Sequence, residues 1–127
     1  MIYEHINKAE ALFSKVTTLN KNDYTTWLGV FYANKKEYAK AIEMYMKVLE
    51  LNPQYQNCLT NVDIAYLNEE KYKASAYYFI TALQIYKDIP DVWNYLAGVF
   101  LEMERDNLVN LTFTKDINQI IKVFNNK

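Results

Sequence analysis

An echo at a distance of 34 residues constrains this chain more than any other feature. Leu28, Tyr32, Tyr38, Ala41, Tyr45 and Val48 return as Val62, Tyr66, Tyr72, Ser75, Phe79 and Ala82. A third copy begins with Trp93, Leu96, Ala97 and Phe100. Within each copy the large and small apolar residues recur at helical spacing, in two runs separated by a short polar turn. A repeat of this length is one supersecondary unit that cannot bury its own apolar face, so neighbouring units must stack into a continuous core. The expected fold class is all-α, a superhelix of antiparallel helix pairs finished by C-terminal capping helices. One repeat domain then covers residues 1–127, with 2–21 the second helix of a truncated repeat. Units follow at 22–55 and 56–89, and 90–127 holds a degenerate unit plus the cap.

The stretch from Asn22 to Pro53 is the most regular unit. With Pro53 at position 32, Leu28 falls at 7, Gly29 at 8, Tyr32 at 11, Ala41 at 20, Tyr45 at 24 and Val48 at 27. That order of small and large residues resembles the tetratricopeptide repeat. Valine replaces alanine at position 27, and Trp27 stands away from its usual place at position 4.

Composition agrees with long helices joined by short turns. Half of the chain is hydrophobic, and only two glycines and two prolines interrupt it. A net charge of −1 with both signs interspersed argues against nucleic acid and anionic membranes as partners. Cys58 is alone, which excludes an intrachain disulfide and points to a reducing compartment. No apolar run reaches the roughly 20 residues of a membrane span, and the start lacks a signal-peptide pattern. These features predict a soluble, cytoplasmic protein.

Ile6, Ala9, Leu12, Phe13, Val16 and Leu19 form the stripe of one amphipathic helix over residues 2–19. Ala9, Phe13 and Val16 keep the spacing of Ala41, Tyr45 and Val48, so this helix reads as the second half of a repeat whose first half is missing. An N-terminal edge of that kind is an open apolar surface that favours self-association. In the second unit Asp63 stands at position 8, where a small residue lets two helices approach, and a carboxylate there must find solvent or a donor. Asp88-Ile89-Pro90 marks the next break. In the third unit Asp106-Asn107 is expected to start a short helix through Phe113. Thr114 is expected to cap another that carries Ile117, Ile120, Ile121 and Phe124.

Catalysis finds no support. His5 is the only histidine, and there is no CxxC, Gly-rich phosphate loop or HExxH. No cofactor is implied, and no catalytic or metal-ligating residue is proposed. Repeats of this kind bind through the groove lined by their first helices, at positions near 2, 5, 6, 9, 12 and 13. These are Asp23, Thr26, Trp27, Val30, Ala33 and Asn34; then Asn57, Thr60, Asn61, Ile64, Leu67 and Asn68; then Asp91, Asn94, Tyr95, Gly98, Leu101 and Glu102. The groove is rich in amides and almost empty of Lys and Arg. A carboxamide offers both donor and acceptor, so a row of them can clamp the main chain of an extended peptide. A chaperone-tail clamp would need Lys or Arg and Asn at positions 5 and 9, and Thr26 with Val30 or Thr60 with Ile64 do not supply them.

The tail narrows the choice. Asn22-Asp23-Tyr24-x-x-Trp27, Pro53-x-Tyr55 with Asn61, and Val92-Trp93-x-x-Leu96 leading to Lys115-Asp116-Ile117 and Phe124 resemble the end of the peroxisomal targeting signal type 1 receptors. The resemblance implies binding of a C-terminal Ser-Lys-Leu-like tripeptide on cargo proteins, a signal read by a receptor cycling between cytoplasm and peroxisome. It implies peptide-binding roles for Asn34, Asn61 and Asn68, and at Asn57 the family carries a basic residue near the terminal carboxylate. Thr26 and Trp27 complete the expected site. Peroxisomal docking proteins would meet the receptor through its upstream region. An Asn-Lys pair that the family places between Trp27 and Leu28 is missing, since Ala9 to Ala41 spans 32 residues and Ala41 to Ser75 spans 34.

Overall fold

The computed structural model describes residues 21–86, 89 and 91–126. The expected helix at 2–19, His5 and the Asp88 and Pro90 break therefore lie outside the described residues. Seven helices and no strands occur among the described residues: α1 (Lys21–Asn34), α2 (Tyr38–Leu51), α3 (Gln56–Asn68), α4 (Tyr72–Ile85), α5 (Val92–Glu102), α6 (Asp106–Thr114) and α7 (Ile117–Asn125). Consecutive helices pack on one another throughout. In addition α1 touches α3, and α7 folds back onto α4.

Sequence periodicity decides which faces are buried. In α2 the residues Ala41, Ile42, Tyr45, Val48 and Leu49 are buried, while Lys40, Glu43, Lys47 and Glu50 between them face water. The stripe of α4 is wider, with Ser75, Ala76, Phe79, Ile80, Ala82 and Leu83 all buried, because α4 has neighbours on more than one side. One core cluster joins α2, α3 and Ala82, and a second joins the rest of α4 to α5, α6 and α7. Helix α4 thus belongs to both. Phe79 and Phe100 are 1% and 0% exposed, and side chains of this size contribute about 1.5–3 kcal/mol each when fully buried.

Each hairpin turns by the same device. Lys36, Glu70 and Glu104 adopt left-handed backbone (φ 62°, 60° and 58°) at equivalent places after α1, α3 and α5. The amide of each donates to the carbonyl three residues back, in Ala33, Leu67 and Leu101. The next amide, in Glu37, Lys71 and Arg105, reaches the carbonyl of Tyr32, Tyr66 and Phe100 at 2.9, 2.9 and 3.0 Å. This is the Schellman pattern, here formed without glycine, and it satisfies carbonyls that a helix end leaves open.

Successive units are also tied by bonds between residues 32 apart. The Tyr55 hydroxyl donates to the Asp23 carboxylate and the Tyr86 hydroxyl to the Gln54 carbonyl. The Tyr78 hydroxyl meets Met46 Sδ at 3.3 Å, and Thr26 Oγ1 lies 3.1 Å from Cys58 Sγ.

The third unit departs from the expected capping in two places. Helix α6 begins at Asp106 after Arg105, with no side-chain cap, and runs through Thr114. The cap of α7 is Asp116, not Thr114: Asp116 Oδ1 accepts from the Gln119 amide at 3.2 Å. Lys115, left-handed at φ 55°, separates the two helices, so Thr114 is spent as the last residue of α6.

Candidate functional site

The outer stripe of α3 carries Asn57, Asn61, Ile64 and Asn68, four residues that share one side of a helix at intervals of four, three and four. Their donors fold back on the helix itself. Asn61 Nδ2 donates to the Asn57 carbonyl at 2.5 Å, and Asn68 Nδ2 to the Ile64 carbonyl at 2.9 Å. Such a bond uses one of the two amide hydrogens and none of the carboxamide oxygen's acceptor capacity. Thr60 Oγ1 likewise donates to the Gln56 carbonyl at 3.0 Å. Asn57 and Asn68 are exposed and Asn61 is half-buried. Asn34, exposed, is the last residue of α1 as Asn68 is of α3.

Two expected site residues are placed differently. Thr26 is 5% exposed, and its hydroxyl is held between the Asn22 carbonyl at 2.6 Å and the Cys58 thiol. It packs α1 against α3 instead of facing a ligand. Trp27 is half-buried in a row of rings along α1, 6.4 Å from Tyr24 and 5.6 Å from Phe31, with both pairs stacked. The possibility that α1 starts late is overturned, because α1 begins at Lys21 and runs unbroken past Trp27 to Asn34. The shortening leaves no bulge between Trp27 and Leu28.

Two buried titratable groups lie behind this surface. Burial pushes the Cys58 thiol up, with the Thr26 bond acting in the opposite sense, so the thiol is a packing group. Asp63, on the buried side of α3, is fully enclosed. Its Oδ1 accepts from the Ile64 amide at 2.7 Å, and its Oδ2 has no hydrogen-bond partner among the described residues. Burial raises this carboxyl from 3.8 to about 8, against the lowering effect of backbone amides. Asp63 therefore reaches neither solvent nor a full set of donors, and it sits in the core as a neutral acid. No sequence signal marked that protonation state.

Two clefts lie away from the amide row. One of about 250 Å³ runs between α4 and α7, walled by Tyr77, Ile80, Ile121 and Phe124. The other, of about 260 Å³, is lined by Leu83, Trp93, Lys115 and Ile117. Neither sets a nucleophile beside a base. No helix among the described residues is long and apolar enough to cross a membrane.

With this geometry in place, comparison with known proteins gives a consistent fold. The tetratricopeptide repeat profile matches residues 26–55. The chain is similar to the peroxisomal targeting signal receptor of Candida albicans, 25% identical over 91% of this chain and 22% of that protein. It is also similar to the receptor of Saccharomyces cerevisiae, 25% identical over 84% of this chain and 20% of that protein. A third relative, from Candida glabrata, is 30% identical over 58% of this chain and 13% of that receptor. The chain spans about a fifth of the length of the first two of these curated relatives. Among solved structures, a MamA mutant superposes with a TM-score of 0.72 at 21% identity, covering 94% of this chain and 67% of that one. A second MamA structure gives the same score over 92% and 62%. The MamA likeness speaks to fold alone. The chain has an all-α tetratricopeptide repeat fold and resembles peroxisomal targeting signal receptors. That fold with those relatives marks an interaction module for peptide or protein partners.

Proposed function

We propose that this chain is the peptide-binding C-terminal part of a peroxisomal import receptor, recognising a Ser-Lys-Leu-type C-terminus on cargo proteins. The observation that carries the reading is the row of Asn57, Asn61 and Asn68 along one side of α3, with Asn34 at the matching end of α1. Amides in such a row pair with a peptide main chain whatever its side chains are, and they accept and donate at once. Each back-bonded amide keeps a second hydrogen and its oxygen for a ligand. The module is non-catalytic, works in the cytoplasm, and meets the peroxisomal membrane through docking proteins that bind elsewhere on the receptor. The N-terminal segment 2–19 supplies an edge for self-association or for upstream repeats.

A fluorescent peptide ending in Ser-Lys-Leu is expected to bind the chain saturably and to lose affinity when its terminal carboxylate is amidated. Equal binding of the amidated peptide would remove the receptor reading. Asn61→Ala and Asn68→Ala are each expected to weaken binding by about 1–3 kcal/mol, the cost of leaving a desolvated polar partner unpaired.

A second reading, an interaction scaffold for a different partner, is favoured by one feature. Asn57 stands where a basic residue would meet the carboxylate, and the Thr26 hydroxyl is already engaged. Under this reading both peptide forms bind alike or not at all.

A further inference from the structure

The outer face of α5 differs from its counterparts on α1 and α3 in one respect. Position 9 of the unit holds Val30 on α1 and Ile64 on α3, both half-buried and packed against the two cores. On α5 the same place is Gly98, and a Cβ built there meets nothing within 4 Å. Glycine inside a helix is unfavourable relative to alanine, and here neither a turn nor a close neighbour requires it. The gap is bordered by large apolar side chains left in water. Tyr95 is 43% exposed, with its ring stacked on Phe79 at 5.7 Å, and Leu101 is 61% exposed. These two lie one turn to either side of Gly98, so they bound a notch roughly 9 Å long.

Charge supplies the second element. Asp91 and Glu102, both exposed, stand at the two ends of the same face, each within about 60° of Gly98 around the helix axis. Helix α5 carries no Lys or Arg, and the guanidinium of nearby Arg105 is turned to the Val123 carbonyl at 3.2 Å. An apolar notch between two uncompensated carboxylates complements an apolar side chain with cationic neighbours.

We propose that the notch at Gly98, between Tyr95 and Leu101 and flanked by Asp91 and Glu102, is a subsite for an apolar side chain within a basic, extended peptide segment. The proposal deepens the peptide-binding reading above and rests on it: α5 follows α3 in the stack, so the subsite takes residues outside those held by the amide row. Glycine is needed because the incoming side chain occupies the volume that Val30 and Ile64 fill elsewhere.

The test uses the whole chain and four fluorescent peptides. Each ends in Ser-Lys-Leu, free or amidated, and is preceded by either Lys-Leu-Lys or Gly-Ser-Gly. In the unaltered chain the Lys-Leu-Lys segment is expected to tighten binding about tenfold, whatever the state of the C-terminus. In Gly98→Leu that tightening disappears. The substituted side chain meets no neighbour, so thermal unfolding stays where it was or rises, and Leu101→Ser gives the same loss by removing one wall. The proposal is overturned if Lys-Leu-Lys gives no tightening in the unaltered chain, or if the tightening survives in Gly98→Leu. Failure of the receptor reading registers separately, as equal affinity of free and amidated forms within either pair.

Discussion

The first two helix hairpins share one register, yet at the place where their helices come closest one has a glycine and the other a carboxylic acid. Gly29 on α1 lies against the ring of Tyr45, so that an added Cβ would stand 2.7 Å from Tyr45 Cδ1 and closer still to Cε1. Asp63 on α3, 34 residues later, is equally buried, and the residue matching Tyr45 there is Phe79, stacked on Tyr95. Ser75 of α4 donates to the Asp63 carbonyl at 2.8 Å, so the small polar residue on the partner helix satisfies the backbone of α3. Its carboxyl gains only the Ile64 amide. The first hairpin is limited by volume and the second by charge.

The largest effect is expected from Gly29→Val. Filling the space under Tyr45 forces the ring out of a core in which it is 1% exposed, and overpacking of this kind costs about 3 kcal/mol. Urea unfolding measures it, with Gly29→Ala expected to be milder in the same direction. Unchanged stability in both variants would break the volume side of the comparison.

Asp63→Ala is expected to stabilise the chain by roughly 2 kcal/mol at pH 8, the scale of burying a polar group with one partner missing. The gain should shrink as pH falls, and its sign follows from the raised carboxyl. Below about pH 4 the folded and unfolded chains both hold the proton. Between 3.8 and about 8 the unfolded chain releases a proton that the folded chain keeps, so stability declines as pH rises. Above that range the slope from this group vanishes. Unfolding curves at pH 5, 6.5 and 8 for the parent and Asp63→Ala separate the cases, and parallel pH dependence in the two would show that Asp63 is not the titrating group.

The smallest effect concerns what the hairpins share. Lys36→Gly and Glu70→Gly relieve a left-handed backbone that costs residues with a Cβ about 1 kcal/mol, so each is expected to raise stability by about 0.5–1 kcal/mol. A melting-temperature increase of similar size in both variants would sharpen the equivalence of the two turns; opposite signs would dissolve it.

These turns also explain part of what the sequence concealed. A reader looking for glycine after a helix finds none, because Lys36, Glu70 and Glu104 make the turn unaided. The repeat spacing nevertheless located the hairpins, since Leu28 and Val62, or Ala41 and Ser75, recur at 34 whatever residue fills the turn. The amide row was legible for the same reason: Asn57, Asn61 and Asn68 share a helix face by arithmetic alone. Thr26 was misjudged because a helix face does not reveal its neighbour. It took the packing of α3 on α1 to bring Cys58 to its hydroxyl. Thr114 was misjudged as a cap because Asp116 competes for the same helix start, and the left-handed Lys115 decides between them.

By itself the sequence determined the all-α repeat, its phase, the faces of its helices and the residues along them. These follow from local periodicity, which needs only the geometry of one helix. Only the tertiary structure decided that Asp63 is a buried neutral acid, that Thr26 and Cys58 form an internal contact, and that the space beside Gly98 is open. Each of these depends on how far neighbouring helices stand apart, a distance set by side chains distant in sequence and invisible to any pattern within one helix.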